Sequence, residues 1–131
     1  MTKPSVAAFR LLWSLLLAGT LFGNAGCTQV LLSPGTRGEY RFGELQVFVD
    51  RDFAATYSAA KFGLQDKDLF LVKDERLVVE AELNGRDATD TLVIVKVKEL
   101  APNRTSIKIR YGLRGDLASA QSVYAAIERR L

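Results

Sequence analysis

TLVIVKVKELAPNRTSIKIRY, residues 91–111, decides how the chain folds. Thr91, Val93, Val95 and Val97 alternate with Leu92, Ile94, Lys96 and Lys98. After the break at Pro102-Asn103, Thr105, Ile107, Ile109 and Tyr111 alternate with Ser106, Lys108 and Arg110. A period of two puts apolar side chains on one side of an extended chain and charges on the other. Two such runs joined by a short loop must pair antiparallel, with one face buried and one wet.

The pattern extends in both directions. Upstream, Leu69–Val72 and Leu77–Leu83 read as one strand region, bent or bulged at Lys73-Asp74-Glu75, with Asn84-Gly85 in the loop that follows. Further upstream, Leu45, Val47 and Val49 alternate with Glu44, Gln46 and Asp50. Between these strands Phe53, Tyr57, Ala60 and Leu64 recur at helical spacing, with Asp50 or Asp52 as N-cap and Gly63 marking the end. Downstream, Leu117, Ala120, Tyr124, Ile127 and Leu131 repeat at three and four behind an Asp116 cap. The predicted fold class is α+β, a two-layer sandwich: an antiparallel four-stranded sheet with two helices on one face, in the order β-α-β-β-β-α.

The first 26 residues have a different character. Lys3 and Arg10 precede the apolar run Leu11–Phe22, and small residues Gly23 to Gly26 follow. That order is a secretory signal. As a helix, the run would rise about 18 Å against a hydrocarbon core of about 30 Å, which is short for a span; counted back to Val6 it reaches 17 residues, the low edge of an uncleaved anchor, with Arg10 interrupting it. The predicted organisation is a signal peptide over 1–26, a lipidated cysteine and flexible tether over 27–38, and an α+β domain over 39–131. The tether reading rests on Ser33-Pro34-Gly35-Thr36-Arg37-Gly38, which is turn-rich and aperiodic.

Composition removes several function classes. Two of the 18 basic residues precede Cys27 and none of the 15 acidic ones does, leaving 16 against 15 in the rest. Charges of both signs are interleaved there, so nucleic acid is not an expected partner. With no histidine and one cysteine, the usual zinc sites, histidine triads and Cys-His nucleophile pairs are unavailable. No catalytic, metal-binding or cofactor residue is assigned.

Some clusters invite a functional reading. Lys96, Lys98, Lys108 and Arg110 share one face of two neighbouring strands and suit an anionic ligand or phospholipid headgroup. Glu80 and Glu82 should face the same side, and cross-strand charge pairing is the simpler account. Asp66, Asp68, Asp74 and Glu75 suggest a divalent cation, but their spacing matches no calcium loop. Phe53, Tyr57 and Tyr124 read as core aromatics. Gly112 to Gly115 before the last helix is similar to an anion-binding turn, against which Asp116 places a negative charge.

Ala25-Gly26-Cys27 resembles the end of a bacterial lipobox, with Asn24 where leucine is usual. The resemblance implies cleavage before Cys27 and acylation of its thiol, and Thr28 after it favours the outer membrane. Thr105 to Gly112, followed by Gly115-Asp116, Ser119 or Ser122, and Ile127, resembles the C-terminal signature of a family of small bacterial lipoproteins known only as a domain of unknown function. Tyr57 to Leu64 is similar to that family's first helix, and Tyr111 stands where valine is expected. The resemblance covers about residues 40–131. It implies a periplasm-facing, lipid-anchored α+β domain with no activity attached and no site residue beyond Cys27. The expected role is therefore a non-enzymatic envelope lipoprotein, anchored by acyl chains on Cys27 and engaging an envelope protein partner. The alternative is a module that binds a small ligand or lipid.

Overall fold

A computed structural model of the chain describes residues 26–33 and 35–131. The expected signal peptide lies outside the described residues except for Gly26. In chain order the elements are β1 (Thr28–Ser33), β2 (Thr36–Arg41), β3 (Glu44–Val49), α1 (Phe53–Asp66), β4 (Phe70–Arg76), β5 (Glu80–Arg86), β6 (Leu92–Ala101), β7 (Arg104–Tyr111) and α2 (Leu117–Glu128). The seven strands form one sheet in the order β1-β2-β3-β7-β6-β5-β4. Every neighbouring pair is antiparallel. Two meanders, β1–β3 and β4–β7, thus join along the β3–β7 seam, and α1 carries the chain from the sheet's middle to its far edge.

The four-stranded β-α-β-β-β-α expectation is overturned, and the three extra strands have separate causes. Two come from the stretch expected as a tether and the start of the expected domain: β1 and β2, which runs on to Arg41, pair from Thr28↔Tyr40 to Ser33↔Thr36. Within it Val30 is buried and Leu32 packs against the core, too few apolar positions to show a period by themselves. The third comes from residues 69–83, expected as one strand region bent or bulged at Lys73-Asp74-Glu75. A bulge does fall there, between Leu71 and Lys73, but β4 continues through Lys73-Asp74-Glu75 to Arg76, and the chain reverses at Leu77–Val79, which makes two strands of one. Those three apolar residues are exposed in the turn. The apolar run that suggested a continuous strand is thus the reversal itself.

The alternation read in the strands sets the core. Leu45, Val47, Ala81, Leu83, Val93, Val95, Val97, Ile107 and Ile109 all point to one face. Ala60 and Leu64 of α1, with Ala120, Val123, Tyr124 and Ile127 of α2, close over that face. Burying each large aliphatic side chain contributes about 1.5–3 kcal/mol before conformational entropy is subtracted.

Glycines read as stops have other roles. Gly63 does not end its helix, which continues to Asp66. A Cβ there would lie 2.8 Å from Ile127 Cα, so Gly63 lets α1 and α2 touch through their backbones. Asn84-Gly85 is not a loop but lies within β5, near its C-terminal end, where Gly85 makes room for Leu69. Asp52 occupies the N-cap position of α1 without a side-chain cap hydrogen bond; Asp116 does cap α2, accepting from Ser119 N at 3.4 Å and from Ser119 Oγ at 2.9 Å.

Candidate functional site

The outer face of the sheet carries the lysines and arginine singled out from the sequence, and pairing fixes where they stand. One row crosses the sheet as Glu75, Glu82, Lys96, Lys108 and Gln46, each directly opposite the next. The neighbouring row runs Glu80, Lys98, Ser106 and Phe48. An open groove of about 460 Å³ follows these rows, with Leu77 and Leu100 at its apolar end.

Charge pairing accounts for part of this face. Lys98 meets Glu80 at 3.3 Å. Lys73 takes both Glu75 at 3.1 Å and Glu82 at 3.2 Å. Arg110 meets Glu44 at 3.2 Å and also donates to the carbonyls of Phe42 at 3.1 Å and Leu113 at 3.4 Å, so it is a structural clip. Lys96 and Lys108 remain. They sit directly opposite each other, and among the described residues neither has an ion-pair partner. Like charges in that register repel.

The acidic residues are not brought together. Asp66 accepts two hydrogen bonds from Arg130, at 2.7 and 2.8 Å, and this partner holds its carboxyl below the ordinary range. Asp74 is bound by Lys61 at 2.8 Å and by Tyr57 Oη at 2.5 Å, which lower its pKa in the same way. Among the described residues no group of three or more acidic or cysteine side chains is placed to hold a metal ion.

The aromatics do not form a cage. Phe53 and Tyr57 stack with centroids 6.4 Å apart and Arg76 lies over both, while Tyr124 is buried, its hydroxyl pushed up to about 12 by desolvation.

Tyr111 and Asp87 form a pair that sequence reasoning missed. Tyr111 Oη donates to Asp87 Oδ2 at 2.7 Å. Asp87 Oδ1 also accepts from the backbone N–H groups of Thr89 and Thr91, both at 2.9 Å, and from Thr89 Oγ1 at 2.8 Å. The Tyr111 bond first, then those of Thr91 and Thr89, hold the Asp87 carboxyl well below the usual range. Burial and Asp87 push Tyr111 up to about 12. The only signal was tyrosine in place of valine at the end of a strand. The pair locks the β5–β6 loop.

Cys27 is exposed, one residue before β1. Its end of the sheet also holds the β2–β3 turn, where Phe42 is exposed, and the β7–α2 loop, where Leu113 is exposed. No helix among the described residues is long and apolar enough to cross a membrane.

A family model described as "Protein of unknown function (DUF3568)" matches residues 10–130. No curated protein matches the chain.

Proposed function

We propose that this chain, which belongs to the DUF3568 family of proteins of unknown function, is a lipid-anchored module of the bacterial envelope. In this reading it is exported and cleaved before Cys27, the thiol is acylated, and the domain faces the periplasm. It catalyses nothing and works by holding a protein partner at the membrane. The supporting observation is the position of Cys27: exposed, with strand pairing beginning at the next residue. Cleavage before it would leave the sheet formed by the described residues whole. Several acyl chains, at about 0.8 kcal/mol per buried CH₂, make a stable anchor where one gives a marginal one.

Fractionation of cells expressing the full chain and Cys27→Ser tests this. The wild type is expected in the membrane pellet and the variant in the soluble envelope fraction. Equal partitioning of the two would remove the anchor.

A second reading has its own support. The unpaired Lys96 and Lys108 at the floor of the outer groove suit a small anion, with Leu77 and Leu100 beside it for an apolar tail. Titration with glycerol phosphate, followed by amide shifts, is expected to move β6 and β7 resonances in the wild type and not in Lys96→Gln/Lys108→Gln. Identical responses would exclude it.

A further inference from the structure

Three segments converge where Cys27 enters β1. Thr28 pairs with Tyr40, so Cys27 lies level with Arg41, at the foot of the β2–β3 turn. That turn is Phe42-Gly43, with φ of 51° and 77°. A two-residue hairpin turn with both φ positive favours Asn-Gly or Asp-Gly, and a bulky residue at the first position is strained. Phe42 stands there with 79% of its surface exposed. The Arg41 guanidinium lies over its ring, 4.9 Å from the centroid. Strain of this kind at an exposed position points to a use outside the fold.

The second tip is Leu113, 92% exposed, in the β7–α2 loop. Arg110 fastens the two tips together through the Phe42 and Leu113 carbonyls. Gly43 lets the loops close on each other: a Cβ there would lie 2.6 Å from Arg114 O. Two large apolar side chains are thus held out beside the cysteine. Arg41 and Arg114 flank them, and neither is ion-paired among the described residues.

We propose that this end docks on an anionic phospholipid leaflet, with Phe42 and Leu113 seated in the interfacial zone and Arg41 and Arg114 against the phosphates. The inference rests on the acylation of Cys27. Acyl chains rooted there bring the start of β1 to the headgroup layer, and no slack intervenes because pairing starts at Thr28. That layer is about 5–7 Å deep on each side. Phe42 lies one residue beyond the level of Cys27, about 3 Å further along the strand direction. The exposed Leu77–Val79 turn follows β4, which runs parallel to β1, so it lies at the opposite end and faces away.

The chain's single tryptophan, Trp13, precedes Cys27, which makes new tryptophans clean probes. The full chain, in a Trp13→Phe background, carries Phe42→Trp, Leu113→Trp or Val78→Trp. Each is purified from membranes and reconstituted in phosphatidylglycerol-containing vesicles with brominated acyl chains. For side chains seated ~5–10 Å into the boundary, emission is expected to fall by about twofold at positions 42 and 113 and to stay unchanged at 78. Acylated protein with no quenching at 42 and 113, or with quenching at 78 alone, overturns the docking while leaving the anchor. The mass of the same sample reports the anchor separately. Unacylated chain still quenched at 42 and 113 keeps the docking surface and removes the anchor; unacylated and unquenched chain removes both.

Discussion

Gly63 shows how a residue can be read correctly in isolation and wrongly in the fold. A glycine after an amphipathic run is a stop signal, yet here the backbone of Ile127, 64 positions away, takes the space of its Cβ. Gly63→Ala improves intrinsic helix propensity by about 1 kcal/mol and forces apart two packed helices at about 1–3 kcal/mol. A lower urea midpoint is therefore expected; a raised one would show that the helices separate freely. Phe42 is the converse case. Phe42→Asn relieves a left-handed phenylalanine and should stabilise the folded chain in solution by about 1 kcal/mol, read from the same midpoint. Asp87 depends on a partner 24 positions away, which no local pattern reveals. Its depressed pKa means that its contribution is present above pH about 4 and is lost as pH falls toward the folded value. Asp87→Asn should therefore be less stable than wild type at neutral pH, with the gap closing in acid. A gap constant with pH would show that the carboxylate charge is not what binds the loop.

At the scale of elements, β3, β6, β7 and both helices were legible because each carries its own apolar period. The strands that escaped have little period of their own. β4 is almost wholly exposed, and β1 has one buried residue. Both edges owe their extension to a neighbour already in place, and β1 has further help from α2. Glu128 Oε1 accepts from Ser33 Oγ at 2.8 Å and from Thr36 Oγ1 at 3.3 Å, tying the β1–β2 turn to the last helix. Glu128→Ala should cost about 1 kcal/mol for the lost hydrogen bonds. Hydrogen exchange should quicken in Thr28–Ser33 ahead of β6 and β7. If β1 amides in the wild type exchange as fast as an unstructured peptide, the segment is a tether after all.

For the whole molecule, the change from tether to strand alters how the domain relates to a membrane. A flexible spacer would leave every orientation open. A strand that begins at Thr28 ties one end of a seven-stranded sheet to whatever Cys27 carries. The Leu77–Val79 turn then projects away from that surface, where a partner can reach it, and the outer face stands to the side. The candidate site was half legible: the lysine rows followed from alternation, but which lysines are neutralised depended on registers the sequence does not print. The claim everything else leans on is chemical, and intact mass spectrometry of the chain extracted from membranes addresses it directly. A species beginning at Cys27 and heavier than the bare polypeptide by a diacylglyceryl group and an N-acyl chain is expected; a chain retaining residues before Cys27, or one with a free thiol there, would contradict it.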